Sequence, residues 1–216
     1  MRVAFCIPGP SFSGWFLENW TALIKSLPPE IEWRLFRNYN PNVHVVRNQV
    51  LDRARMFRPD YYMWIDSDIN FTPDNFYRLL THDNVPIISG VYVMKTVYPY
   101  NDFACGSLNG GTLTRDDIKD QTDLIEVKAN GLGWMLVKSE VFEDMDQPFT
   151  QDEHGTGEDA LFQIRAKELG YRSYIDPTLI VGHEKMMICL LYTSPSPRDK
   201  RQCGMAAWAW KKKMGG

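Results

Sequence analysis

Cysteine is scarce in this 216-residue sequence: only Cys6, Cys105, Cys189 and Cys203 are present. Their spacing fits neither a metal-ligand set nor the dense framework of a disulfide-stapled secreted domain, so a reducing cytoplasm is the expected setting. No apolar run approaches the roughly 20 residues that a bilayer-crossing helix needs, and no transmembrane segment is expected. The N-terminal stretch from Met1 to Pro8 is too short for a signal peptide and reads as a first strand. Without an export signal, the Asn19-Trp20-Thr21 sequon is coincidental. There is no internal repeat. The turn Pro8-Gly9-Pro10 lacks the Gly-Lys-Ser/Thr ending of a phosphate-binding P-loop.

What remains is an ordinary globular composition, 44% hydrophobic and 24% charged. That length and composition suit one α/β domain with a substantial core. From Cys189 onward the pattern changes abruptly: Cys-Leu-Leu-Tyr-Thr-Ser-Pro-Ser-Pro-Arg-Asp has no periodicity and leads to Lys-Lys-Lys-Met-Gly-Gly. This stretch resembles the in-frame translation of a sequencing adapter. The expectation is a domain over 1–188, truncated at its natural C-terminus, followed by a non-native or disordered tail over 189–216. The other reading is a basic tail or membrane-surface segment using Trp208, Trp210 and three lysines. Residues 1–188 hold 18 basic and 26 acidic side chains, net −8. Such an acidic body argues against a nucleic-acid partner, which would want a basic face.

Hydrophobic periodicity alternates strands with helices. Strands are expected at Val3 to Ile7, Ile31 to Phe36, Tyr61 to Asp66 and Val85 to Val93. Helices are expected at about Trp15 to Ser26, His44 to Phe57 and Thr72 to Leu80, the last opened by an N-cap threonine and a proline at its first position. Residues 96–122 are rich in Gly, Asn and Asp and read as a long irregular excursion of the kind found over binding sites. Strands at Leu124 to Ala129 and Trp134 to Val137 flank the turn Asn130-Gly131-Leu132-Gly133, and Ser139 caps a short helix through Phe142. A helix opening at Gly157-Glu158-Asp159 and ended by Gly170 precedes a last strand, Tyr171 to Ile175. This order predicts an α/β sandwich around a mostly parallel sheet.

The most informative stretch is Tyr61 to Asp68, an apolar strand running into two carboxylates one residue apart. A strand this apolar is buried on both faces, and its C-terminal end is where open α/β sheets place ligands. Asp66 and Asp68 point the same way if the strand geometry persists. Two convergent carboxylates repel unless a divalent cation lies between them, and such a cation also carries phosphates. Three further groups fall where ligand loops belong: Arg47-Asn48, Gly157-Glu158-Asp159 and Gly182-His183. Each alone has a plain structural reading, as a solvated helix residue, a dipole-complementing helix start or a surface histidine.

Their joint order resembles the GT-A nucleotide-sugar glycosyltransferases, especially compact phage and bacterial members of the family 2-like group. The resemblance spans nearly all of residues 3–185. It rests on Arg47-Asn48, Trp64-Ile65-Asp66-Ser67-Asp68 and Gly131-Leu132-Gly133-Trp134-Met135-Leu136. Val141-Phe142, Gly157-Glu158-Asp159, Phe162, Arg165-Ala166, Leu169-Gly170-Tyr171 and Gly182-His183 complete it. The resemblance implies a GT-A (Rossmann-like) three-layer α/β/α sandwich and transfer of a sugar from a nucleoside-diphosphate sugar to a glycan, lipid or other hydroxyl acceptor.

By that resemblance Mn²⁺ or Mg²⁺ assists departure of the diphosphate. Asp68 and His183 are the implied direct ligands, and Asp66 reaches the ribose or the metal. A histidine ligand favours Mn²⁺. Donor binding falls to Pro8, Arg47, Asn48, Asp66, Ser67 and Asp68, with the Pro8-Gly9-Pro10 turn cradling the nucleobase side. The attacking hydroxyl must lose a proton; Asp159 is taken as its general base, held ionised by the helix dipole, and Glu158 as the residue orienting the acceptor, with the two roles open to exchange. Gly131 and Gly133 would let backbone approach the sugar. Trp134 either offers a face to a pyranose ring or is a core aromatic. Two other readings are a non-catalytic sugar- or nucleotide-binding module and other metal-dependent phosphate chemistry. The phosphatase form of Asp-X-Asp does not fit, since here the motif ends a third strand and Asn70 follows where Thr or Val is needed.

Overall fold

The computed structural model describes residues 1–94, 102–153 and 155–184, all within the compact unit Met1–Lys185. The predicted tail from Cys189 lies outside the described residues. The first half runs β1 (Arg2–Cys6), α1 (Gly14–Ser26), β2 (Glu32–Phe36), α2 (Val43–Arg55), β3 (Tyr61–Ile65), β4 (Ile69–Asn70), α3 (Pro73–Leu80) and β5 (Ile87–Val91). Then come β6 (Asp102–Gly106), β7 (Thr112–Thr114), α4 (Arg115–Ile118), β8 (Ile125–Val127), β9 (Ala129–Asn130) and β10 (Trp134–Lys138). The described chain closes with α5 (Glu140–Glu143), α6 (Glu158–Glu168), β11 (Ser173–Ile180) and β12 (Gly182–His183).

Seven strands form the main sheet in the order β2-β1-β3-β10-β5-β11-β8. β1 pairs parallel with β2 and β3, and β5 with β11, whereas β10 and β8 run against their neighbours. Alternate side chains divide two cores, as the period of two in a strand requires. Ala4, Cys6, Tyr62, Trp64, Met135 and Val137 face α2, α5 and α6. Val3, Phe5, Met63, Ile65, Trp134 and Leu136 face α1 and α3. Helices on both faces of a mostly parallel sheet make the expected three-layer sandwich.

Local chemistry sets the element boundaries. Ser13 Oγ accepts from Phe16 N at 3.0 Å and starts α1. Asn75 Oδ1 accepts from Thr72 N at 2.7 Å and closes the first turn of α3. Gly170 follows α6 with φ +94°, a left-handed conformation in which glycine carries no steric penalty.

Two expectations are corrected. The excursion over 96–122 is not irregular throughout: β6 pairs with β7 and β9 in a second sheet, and α4 follows. Glycines at 106, 110 and 111 mark the hairpin turn rather than an absence of strands. The last strand extends beyond Ile175, with a register shift before Ile180. Asp176 Oδ1 accepts from Thr178 N at 2.9 Å and Thr178 Oγ1 at 2.6 Å, folding the irregularity around Pro177.

Candidate active site

The register places Cys6 beside Trp64 and Ile65 beside Trp134. The residues just after β1 and β3, and just before the antiparallel β10, therefore meet at one sheet edge. Pro8, Asp66 and Gly133 lie there, with Tyr92 after β5 and His183 after β11. This is the edge where strands of an open α/β sheet present ligands.

Arg47 organises one half of the edge. Its side chain is 5% exposed and ion-pairs with Glu158 and with Asp66, the latter at 3.1 Å. Burial alone would lower its pKa, but the charges of Asp66, Glu158 and Asp159 outweigh that and raise it. Its Nε is buried without a hydrogen-bond partner among the described residues. Glu158 is thus engaged by Arg47, and Asp66 is turned toward the guanidinium.

Asp159 Oδ1 accepts from Ala160 N at 2.8 Å. Its pKa is raised by burial first, with Glu158 and Asp66 adding and Arg47 and the Ala160 amide opposing. The helix start was expected to hold this carboxylate ionised. Burial and two neighbouring acids outweigh that single amide, so the proton is held more tightly than usual.

Asp68 and His183 form the second half. Antiparallel pairing of β12 with β4 sets His183 opposite Ile69. His183 Nε2 lies 3.0 Å from Asp68 Oδ2, and its Nδ1 lies 2.9 Å from the Val93 carbonyl. A carbonyl can only accept, so Nδ1 carries the proton. Nε2 then faces a carboxylate oxygen: protonated, it donates to Asp68, and unprotonated, it leaves two acceptors that a cation can bridge. Among the described residues no group of three or more His, Cys, Asp or Glu side chains is arranged to hold a metal. The expected trio of Asp66, Asp68 and His183 thus reduces to the Asp68–His183 pair, because Arg47 holds Asp66.

Tyr92 joins the two halves and escaped the sequence reading. It is 5% exposed. Its ring meets that of His183 edge-on at 5.2 Å, and its hydroxyl accepts from Gly133 N at 3.0 Å. Burial, then the charge of Asp66, drives its pKa strongly upward. A Cβ on Gly131 would lie 2.0 Å from the Tyr92 hydroxyl, and one on Gly133 2.8 Å from it. These glycines make room for the Tyr92 phenol.

Other assignments are corrected by burial. Trp134 is 0% exposed and stacks on Phe71 with centroids 4.7 Å apart. Its strand face points into the α1–α3 core, so it is a core aromatic. Asn48 donates to the Phe149 carbonyl at 2.7 Å and accepts from Phe149 N at 3.2 Å, so its amide clamps a loop. Pro8 is buried, and Gly9 N bonds the Asn38 carbonyl at 3.1 Å, which ties this turn to the end of β2. Ser67 packs on the same turn, 2.6 Å from where a Gly9 Cβ would sit.

A buried polar network backs the site. Gln163 accepts from Asn130 N at 3.0 Å and donates to the Asp159 carbonyl at 3.0 Å. Asn130 in turn bonds Ser89 on β5. A glutamine four residues after Asp159, on the inward face of the same helix, was the signal available in the sequence.

No family model and no curated protein matches the sequence. Solved structures do. A197 from STIV superposes with TM-score 0.56 at 18% identity, covering 87% of this chain and 96% of that one. GalNAc-T7, solved with UDP, GalNAc and Mn²⁺, gives TM-score 0.57 at 12% identity, over 86% of this chain and 44% of its own. The mannosyltransferase PcManGT from Pyrobaculum calidifontis, in complex with GDP-Man and Mn²⁺, gives 0.52 at 12% identity, over 84% and 56%. The fold is GT-A. At these identities the likeness establishes the architecture alone. The chain spans about half the length of each of the two transferases. It has no described helix long and apolar enough to cross a membrane.

Proposed function

We propose that this chain is a metal-dependent glycosyltransferase that moves a sugar from a nucleoside-diphosphate sugar to an acceptor hydroxyl. The observation that carries the reading is the Asp68–His183 pair at the ligand edge, 3.0 Å apart, with the ring oriented by Val93. A carboxylate oxygen and an imidazole whose other nitrogen is held by a carbonyl are a fitting donor set for a divalent cation, with Mn²⁺ favoured by the imidazole. When bound, the cation neutralises charge growing on the departing diphosphate.

The chain's own residues do the rest. Asp159 accepts the proton of the attacking hydroxyl, and its raised pKa makes it a stronger base than an ordinary aspartate. Direct attack by that hydroxyl inverts the anomeric centre. Arg47 ion-pairs with Asp66 and Glu158 and fixes them beside Asp159, so the edge stays organised. Ser67 lies against the turn after β1, where the nucleoside half of the donor belongs.

The test is the melting temperature with UDP or GDP, with and without Mn²⁺. Ligand at about 100 times its Kd adds roughly 2.7 kcal/mol, which is about 5–11 °C for a chain of this size. The rise is expected only with the cation, and Asp68→Ala should abolish it. Equal stabilisation in EDTA would remove the metal from the account.

A further inference from the structure

Beside the Arg47–Glu158 ion pair lies a cleft of about 250 Å³ between the start of α2 and the loop leading into α6. Asn42, His44, Gln151, Thr156 and Glu158 line it, with Pro41 and Val43 as its apolar lining side chains. A Cβ on Gly157, which also lines the cleft, would lie 2.6 Å from Asp159 Oδ1, so the proposed base borders the cleft at that point. Resting on that reading of the base, we infer that this cleft is the acceptor subsite and takes the terminal ring of a neutral glycan.

Three observations select the chemistry. The side-chain groups of Asn42, His44, Gln151 and Thr156 are donors and acceptors of the kind that pair with sugar hydroxyls. Neither N-cap residue, Asn42 for α2 or Gly157 for α6, closes its helix start with its own side chain, so the first two amides of each helix can meet ligand oxygens. The volume falls below the roughly 300–1,000 Å³ of pockets that bury drug-sized ligands, which limits the occupant to about one ring.

Competing classes fit poorly. Glu158 on the wall and Asp159, whose Oδ1 lies 2.6 Å from where a Cβ on the lining Gly157 would sit, set acidic charge along one side, and Arg47 is engaged by Asp66 and Glu158. An acidic sugar or a phosphorylated acceptor would be repelled. Two apolar side chains give too little surface to hold an acyl or polyprenyl chain.

The experiment supplies UDP- and GDP-sugars with Mn²⁺ and a panel of methyl hexosides, matching methyl hexuronides and octanol. It measures nucleoside diphosphate release and sugar transfer separately. A neutral hexoside is expected to exceed its hexuronide and octanol by at least about tenfold in kcat/KM. His44→Ala, Gln151→Ala and Asn42→Ala should each raise that hexoside's KM about threefold to tenfold, the scale of one lost neutral hydrogen bond. Donor KM should move less than about twofold. Preference for the hexuronide or octanol, or an unmoved acceptor KM in all three variants, overturns the subsite. Absence of any nucleotide release, even to water, would instead bring down the transferase reading itself.

Discussion

Replacing Arg47 with methionine removes one buried cation from among three carboxylates. The guanidinium is 5% exposed, Glu158 is 14% exposed and Asp66 31% exposed. Breaking a buried ion pair by deleting one partner costs about 3–5 kcal/mol, because the remaining charges lose their compensation. For a chain of this size each kcal/mol is about 2–4 °C, so the melting temperature should fall by about 6–20 °C at pH 7. The pH dependence has a definite sign. Asp159 already binds its proton more tightly when folded than its ordinary 3.8. Its protonation therefore favours the fold, a contribution fully present below the unfolded value and lost as pH rises through the raised folded one. Without Arg47 the folded value rises further, so the variant should recover stability between pH 7 and pH 5 more than wild type does. Urea denaturation at both pH values reads this out. Adding Glu158→Gln to the variant should return part of the loss, giving a coupling energy of about 0.5–3 kcal/mol. A loss under about 1 kcal/mol, with no pH effect, would refute the view that Arg47 holds this edge together.

Asn48→Leu leaves the Phe149 amide and carbonyl without their partners, and calorimetry should show a loss of about 1–3 kcal/mol; donor affinity falling without loss of stability would restore Asn48 to the donor site. Gly131→Ala forces a methyl onto the Tyr92 hydroxyl and should cost about 1–3 kcal/mol. Adding Tyr92→Phe should relieve part of that cost, and no relief would mean the clash lies elsewhere. Asp159→Asn keeps shape and removes the proton acceptor, so transfer should fall about 10²–10⁴-fold with donor Kd unchanged. In wild type the acid limb of kcat/KM should lie above the ordinary aspartate range and rise further in Arg47→Met; a limb at the ordinary position would contradict the burial of Asp159.

Much of the fold was readable because its signals are local and repeated. The apolar run before Asp66, the Thr72-Pro73 start and Gly170 each have one cheap structural solution, and the structure adopts it. The layer order follows from alternating strands and helices. The direction of β10 was not readable, since both faces of that strand are buried and the run carries no directional mark. The edge residues were legible as a set, but their pairings were not. Arg47 reaches Glu158 across 111 positions, and His183 reaches Asp68 across 115. Tyr92 looked like one more residue of an apolar strand, and only the packing reveals that Gly131 and Gly133 exist to admit its hydroxyl. Trp134 carried two readings that only burial could separate.

The central claim is that the Asp68–His183 edge supports sugar transfer from a nucleotide donor. Its most direct test incubates the chain with a panel of UDP- and GDP-sugars and follows nucleoside diphosphate release with Mn²⁺ and with EDTA. The account expects release from at least one donor with Mn²⁺, none in EDTA, and loss of release in both Asp68→Ala and His183→Ala with the fold intact. Release that persists in EDTA, or that survives both substitutions, would contradict it.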